Sequence, residues 1–255
     1  RSGNQRLLWV LIKILCVMSN KYKRYRKDFE ISYSLGVFPT LELLKLCPEQ
    51  VECVLIRSNS HENEGVSKII ECCENLLLPV KTDDRIIGSL SPKEDCYAIG
   101  VFRKINTALN KNAHHVVLVN PGDRGNLGAV LRSMAGFNMT NLALIRPAVD
   151  IWNPRVIRAS MGSVFHVNFQ YFDQFEDYCR AYDRPVFAFS PNARKELRHL
   201  DIKQPSSLVF GNEGAGLSTE VLNQGTTVRI VHQATIDSLN LAVSVGIVLY
   251  EISQK

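Results

Sequence analysis

The sequence predicts an α/β protein in which a parallel-sheet domain fills the C-terminal half and a smaller α/β domain precedes it. Three observations predict this. Short apolar runs alternate with stretches of helical spacing along most of the chain. Glycine-rich segments follow two of those runs in the C-terminal half. A polar stretch near 106–114, rich in asparagine and histidine, interrupts the pattern between the halves. Composition agrees, since 255 residues with 45% hydrophobic and 22% charged side chains suffice for two ordinary globular cores.

Upstream, Val37–Leu46 has helical spacing, Val51–Ile56 reads as a strand and Gly65–Leu77 as a helix. Short strands follow near Pro79–Lys81 and Tyr97–Phe102, completing a small domain over 28–112. Downstream, over 113–255, Val116–Val119 is a short apolar strand and Leu127–Phe137 a helix. Leu142–Ile145 is the next strand and Pro154–Met161 the next helix. Val186–Phe189, Leu208–Phe210 and Val228–Val231 continue the series as buried strands. Repeated βα units of this kind argue for a parallel sheet covered on both faces. The last helix, Leu239–Ile252, is apolar almost all round, so it is expected to be buried on every side, in the core or against another subunit.

Charge is unevenly spread. Residues 1–27 form a basic arm with eight Lys or Arg and no acid, leaving 22 basic and 25 acidic side chains for the near-neutral body. A partner with a dense negative backbone fits that asymmetry. The apolar run Leu7–Met18 is broken by Lys13 and is too short for a membrane span, so it reads as an amphipathic or buried helix and no membrane association is expected. Seven cysteines without a CxxC repeat imply reduced thiols in a reducing compartment, no metal and a cytoplasmic location. Arg1 in place of Met points to a trimmed chain, which leaves an organellar location open.

Three motifs carry the chemistry. The first, Asn120-Pro-Gly-Asp-Arg-Gly-Asn126-Leu-Gly128, leads into a helix that holds Arg132. Its glycines at 122, 125 and 128 are spaced GxxGxxG, and the next strand ends in Arg146-Pro147, so it is not a dinucleotide fingerprint. Asn126 can cap the helix, and Arg132 lies off its apolar stripe; taken alone, Arg132 reads as a solvated residue. In the second, Phe210-Gly211-Asn212-Glu213-Gly214-Ala215-Gly216, a strand enters a turn holding a buried-looking acid. A plain strand-to-helix turn capped by Ser218 explains the glycines but not Glu213. In the third, Ile230-Val231-His232 precedes Ser238-Leu239-Asn240, where capping by Ser238 or Asn240 competes with binding of a polar ligand group.

Together and in this order, the motifs resemble the SpoU/TrmH family of RNA 2′-O-ribose methyltransferases. The resemblance rests on Asn126, Gly128 and Arg132, then Gly211, Glu213, Gly214 and Gly216, then Ile230, Ser238, Leu239 and Asn240. It implies a trefoil-knot methyltransferase domain over 113–255, preceded by a ribosomal-protein-like RNA-binding domain. It implies S-adenosylmethionine as cofactor, held at Gly211, Ile230 and Leu239 chiefly through backbone groups. It implies that Arg132 acts on the ribose 2′-hydroxyl with a neighbouring phosphate, while Asn126, Glu213, Ser238 and Asn240 shape the site. A guanidinium keeps its proton, so for Arg132 orienting phosphate and stabilising alkoxide is a sounder role than base.

The resemblance further implies a homodimer through the C-terminal helix and RNA as partner, ribosomal RNA first and transfer RNA second. Lys21, Lys23, Arg24, Arg26 and Lys27, with tyrosines among them, are the expected RNA contacts of the arm. A non-catalytic RNA-binding relative is the alternative from another class, and methylation of guanine N1 a third reading. The chain departs from the family where Val231-His232 stands in place of the usual proline after isoleucine. It also departs where Phe29-Glu30-Ile31 leads to Ser32-Tyr33, without the usual acid and glycine.

Overall fold

A computed structural model describes residues 22–60, 62–91 and 93–254. The expected helix over Leu7–Met18 and the basic side chain of Lys21 lie outside the described residues. Along the chain the elements begin with β1 (Ile31–Leu35), α1 (Val37–Leu46), β2 (Val51–Ile56), α2 (Glu64–Asn75), β3 (Val80–Thr82), α3 (Asp84–Leu90) and β4 (Ala98–Arg103). They continue with β5 (His115–Val119), α4 (Arg124–Gly136), β6 (Asn141–Ile145), α5 (Pro154–Ala159), β7 (Asn168–Phe172), α6 (Phe175–Ala181) and β8 (Val186–Phe189). The series closes with β9 (Lys195–Glu196), β10 (Ser207–Phe210), α7 (Thr219–Leu222), β11 (Thr226–Arg229) and α8 (Leu241–Ser253). Two compact units result, one holding residues up to 105 with 150–165, the other 106–149 with 166–255.

The first unit carries a four-stranded sheet in the order β1-β4-β2-β3, with β1 and β2 antiparallel to β4. Strand β1 is weakly marked in the sequence because Ser32 and Ser34 occupy one of its faces yet are fully buried. Ser32 donates to the carbonyl of Trp152, and Ser34 shares a 3.0 Å hydrogen bond with Thr40. That face is therefore neither apolar nor solvated, and alternation is hidden. The segment 150–165 joins this unit by stacking Trp152 and Phe165 edge-on to Phe102, with ring centroids 5.5 and 5.3 Å away.

Residues 22–27 lie along the same unit. Tyr22 and Tyr25 pack against a core of Tyr33, Leu55, Ile99 and Val101, and the Tyr33 hydroxyl donates to the Lys23 carbonyl at 2.8 Å. The tyrosines of the basic stretch are thus turned inward, whereas Lys23, Arg24, Arg26 and Lys27 are exposed.

The second unit is built on seven strands in the order β7-β6-β5-β10-β8-β11-β9, every pairing parallel. Strands β5, β6 and β10 are buried along their whole length, which accounts for their apolar sequence after a first polar residue, His115, Asn141 or Ser207. One face packs Val117, Val119, Ile145 and Val209 against Phe172, Phe175 and Tyr178. Helix α4 buries the stripe Leu127, Val130, Leu131 and Met134. Helix α8 packs beside α4 and buries Leu241, Val245, Val248 and Leu249.

Two sequence expectations need correction. Strand β11 ends at Arg229 rather than Val231, so Ile230 has already left the sheet. Helix α8 is not buried on every side by the described residues: Val243, Ile247 and Tyr250 are exposed beside Ala129 and Ser133 of α4 and Phe137 at its end. Its sequence is apolar all round, but the described residues pack on only part of it.

Candidate functional site

The second and third motifs leave the carboxyl ends of parallel strands, where open α/β sheets place their ligand crevices. Here β8 delivers Phe189, β10 delivers Phe210 and β11 leads into Ile230. These ends surround a cavity of about 570 Å³ whose wall also includes Gly211, Glu213, Leu217, Leu222, His232, Asp237, Ser238 and Leu239. The Phe189 and Phe210 rings stack almost parallel, with centroids 4.7 Å apart and planes 9° from one another.

Asn212 folds the glycine loop. Its Oδ1 accepts from the backbone N–H groups of Gly214 and Ala215 at 2.9 and 3.1 Å, and its Nδ2 donates to the Asn120 carbonyl at 2.8 Å. Its own carbonyl accepts from Gly216 N–H at 2.9 Å. The loop turns so tightly that a Cβ on Gly211 would sit 2.3 Å from the Gly216 backbone, which excludes any side chain there. Gly216 takes φ +68°, a left-handed conformation that glycine adopts without steric cost.

A relay of amides joins all three motifs. Asn126 Nδ2 donates to Glu213 Oε1 at 3.0 Å, and Asn240 Nδ2 donates to Asn126 Oδ1 at 3.0 Å. Asn240 Oδ1 meanwhile caps α8, accepting from Ala242 N–H at 2.8 Å. Each amide is oriented by its neighbour, because both ends of Asn126 and Asn240 are committed.

Capping differs from expectation. Asp123, not Asn126, caps α4, accepting from the Asn126 N–H at 2.7 Å. Asn126 then lies inside the first turn, where its side chain is released to the relay. Asn240, not Ser238, caps α8, so Ser238 and Leu239 stay in the loop and line the cavity. Glu213 is exposed rather than buried. Gly211, Ile230 and Leu239 all line one cavity, and Glu213 and Ser238 join them. Arg132 is exposed and does not line it; six residues beyond Asn126, it lies about 9 Å along α4 and on a different side of the helix.

Sequence reasoning missed Asp123, Asn212 and the Phe189–Phe210 pair. Aspartate three residues before Asn126, and asparagine two before a glycine, were the available signals for the first two. Nothing local marks the aromatic pair, because its two strands are 17 residues apart.

The cavity fits S-adenosylmethionine on its own features. Its volume suits a small organic ligand. Stacked phenylalanines with Leu217, Leu222 and Ile230 give a flat purine an apolar wall, and Glu213 and Asp237 give carboxylates to a ligand with sulfonium and ammonium charges. A parallel sheet with such a cavity at its carboxyl edge defines an α/β protein that binds a nucleoside-type ligand.

Comparison with known proteins sharpens this class. Residues 113–250 match the SpoU rRNA Methylase family, and the chain belongs to it. It is 34% identical over 140 residues to an uncharacterized tRNA/rRNA methyltransferase of Synechocystis, covering 53% of this chain and 51% of that one. The chain thus spans about half the length of that relative. It is 27% identical over 207 residues to an uncharacterized tRNA/rRNA methyltransferase of Archaeoglobus fulgidus, covering 79% and 91% of the two chains. A putative tRNA (cytidine(34)-2′-O)-methyltransferase of Bacillus subtilis is 30% identical over 150 residues, 56% of this chain and 93% of that one.

Among solved structures, the fold is similar to an AdoMet-bound rRNA methyltransferase from Sinorhizobium meliloti, with TM-score 0.74, 22% identity and coverage of 96% and 94%. It is also similar to the AdoMet complex of the SpoU methyltransferase AviRb from Streptomyces viridochromogenes, with TM-score 0.76, 18% identity and coverage of 100% and 98%. The protein is an S-adenosylmethionine-dependent RNA methyltransferase of the SpoU family.

Proposed function

We propose that the protein methylates a ribose 2′-hydroxyl in structured RNA, with ribosomal RNA the first candidate and transfer RNA the second. The observation that carries this reading is the Glu213–Asn126–Asn240 relay, which ties three separate segments around one cavity. A non-catalytic RNA-binding relative would not need amides held in fixed orientation beside an open pocket. The printed names of relatives include both tRNA and rRNA methyltransferases, and one specifies a ribose 2′-oxygen.

When bound, S-adenosylmethionine supplies an electrophilic methyl group on a sulfonium sulfur. Gly211, Ile230 and Leu239, which line the cavity, would flank it. Glu213, Asn126, Ser238 and Asn240 hold the loops and present polar groups at the mouth of the cavity. The 2′-hydroxyl must lose its proton as its oxygen attacks the methyl carbon in line. Arg132, exposed and with no hydrogen bond or ion pair among the described residues, is free to hold an RNA phosphate and stabilise the developing alkoxide. Exposed Lys23, Arg24, Arg26 and Lys27 supply cations for backbone contact elsewhere on the RNA.

The exposed apolar face of α8 fits a second copy of the chain. Val243, Ile247 and Tyr250 form, with Phe137, one patch of aliphatic and aromatic side chains on two adjacent helices. Ile247→Asp is expected to convert a dimer to a monomer in sedimentation; a wild-type monomer would end this part of the reading. The free cysteines of the described residues suit a reducing, cytoplasmic setting, and no helix among those residues is long and apolar enough to cross a membrane.

The test of the whole reading is transfer of labelled methyl from S-adenosylmethionine to unmodified ribosomal and transfer RNA, with mapping of 2′-O-methyl sites. One protected ribose in one RNA establishes reaction and target together. Label on a base, or cofactor binding without transfer to either RNA, rejects the ribose assignment.

A further inference from the structure

Where the family commonly has proline after the isoleucine of the third motif, this chain has Val231-His232, and the imidazole lines the cavity. His232 Nδ1 lies 3.0 Å from the carbonyl oxygen of Ile230. A carbonyl can only accept, so Nδ1 carries the proton and donates. The neutral ring in that tautomer has Nε2 as a lone-pair acceptor, on the ring edge turned away from Ile230. Nε2 has no hydrogen-bond partner among the described residues. The histidine thus does two things: one nitrogen braces the loop, and the other is an unused acceptor on a side chain that lines the cavity.

The neighbours of His232 indicate which part of a ligand it meets. Ile230, Leu222 and the stacked Phe189–Phe210 pair form the apolar part of the wall, suited to the flat faces of a purine. The carboxylates of Glu213 and Asp237 line the same cavity and would suit the cationic methionyl part. A purine seated on the apolar part presents polar atoms only at its edge, and adenine carries at its 6-position an amine, an N–H donor, where guanine and hypoxanthine carry an oxygen. We infer that His232 Nε2 accepts a hydrogen bond from the adenine amino group, making His232 a side chain that selects the cofactor's base. This rests on the assignment of the cavity to the cofactor.

Calorimetry with S-adenosylhomocysteine and S-inosylhomocysteine tests it without any turnover. The two ligands differ at the purine 6-position, where an amine is replaced by an oxygen that cannot donate, and at N1, which gains a proton that points in another direction. Wild type is expected to favour the adenosyl ligand by about tenfold, the usual scale of one satisfied hydrogen bond. His232→Gln keeps an acceptor near the Nε2 position and is expected to retain the preference. His232→Asn keeps a donor near the Nδ1 position, and so the loop contact, but has nothing at Nε2; it is expected to lose the preference.

Loss in the Gln variant with retention in the Asn variant would overturn the inference, since that order belongs to a residue that only braces the loop. A preference kept by the Asn variant, with or without equal weakening of both ligands, or a preference lost in both variants, would overturn it as well. Failure of wild type to bind S-adenosylhomocysteine at all would instead overturn the assignment of the cavity to the cofactor, and this inference with it.

Discussion

The two ends of the parallel sheet use similar polar side chains to opposite effect. At the amino ends of β5 and β10, His115 and Ser207 are fully buried and Tyr178 closes over them. His115 Nε2 donates to the Asn110 carbonyl at 2.9 Å, Nδ1 accepts from the Tyr178 hydroxyl at 3.0 Å, and Ser207 donates to Tyr178 at 2.6 Å. Those side-chain groups are paired and shut away from solvent, so this network contributes to stability. At the carboxyl ends, Glu213, Asn126 and Asn240 are linked just as well, but Glu213 and Asn240 are exposed, Asn126 is half-buried, and Glu213 lines the cavity. An exposed network adds little to folding, because water would satisfy the same groups. Its orientation, not its energy, is what the fold retains.

The largest expected effect falls at the open end. Arg132→Ala should lower methyl transfer by roughly 10²–10³-fold, the scale of a lost group that stabilises developing negative charge. Its melting temperature and affinity for S-adenosylhomocysteine should stay close to wild type, since the side chain is exposed and outside the cavity wall. Equal losses of turnover and cofactor affinity would place Arg132 on the cofactor instead.

At the closed end the effect should be on stability alone. His115→Ala takes one of two partners from the buried Tyr178 hydroxyl, which keeps Ser207, and leaves a cavity where a fully buried ring stood, and should cost roughly 2–4 kcal/mol in denaturant unfolding. The same histidine gives the fold an acid-sensitive component. Burial holds its pKa at about 4, below the ordinary 6.5. As pH falls, the unfolded chain takes up this proton before the folded chain does. Stability is therefore full above about pH 6.5 and declines towards pH 4, by about 3 kcal/mol from this group. Unfolding curves between those pH values should show the slope, and His115→Gln should flatten it.

The smallest stability effect and the sharpest contrast come from Asn126→Ala. Both relay contacts vanish, yet stability should change by less than about 1 kcal/mol because solvent replaces them. Transfer should nevertheless fall by at least tenfold, as Glu213 and the α8 cap lose their common link. A large drop in melting temperature would show that the open network is structural like the closed one.

Much of this architecture was legible before any coordinates. Val37–Leu46, Val51–Ile56 and Val186–Phe189 form as the sequence predicts, because each is a regular apolar pattern whose neighbours supply the matching surface. Strand β1 and the pair β7–α6 were not read, the first because its buried serines break the alternation. The motif residues announced a ligand site, and most of them converge. Their exact duties were less visible, since Asp123 took the capping role that Asn126 was expected to fill.

By itself, the sequence determined the alternation of strand and helix, the parallel arrangement and the set of side chains at the site. These follow from periodicity and local chemistry, which neighbouring residues encode. Tertiary structure alone decided that Asn126, Glu213 and Asn240 would touch, although 114 positions separate the first and last. It alone turned Tyr22 and Tyr25 inward and left one face of α8 exposed. Such outcomes depend on which surfaces meet across distant segments. Residue type states what a side chain can bond, and only packing states which partner is within reach.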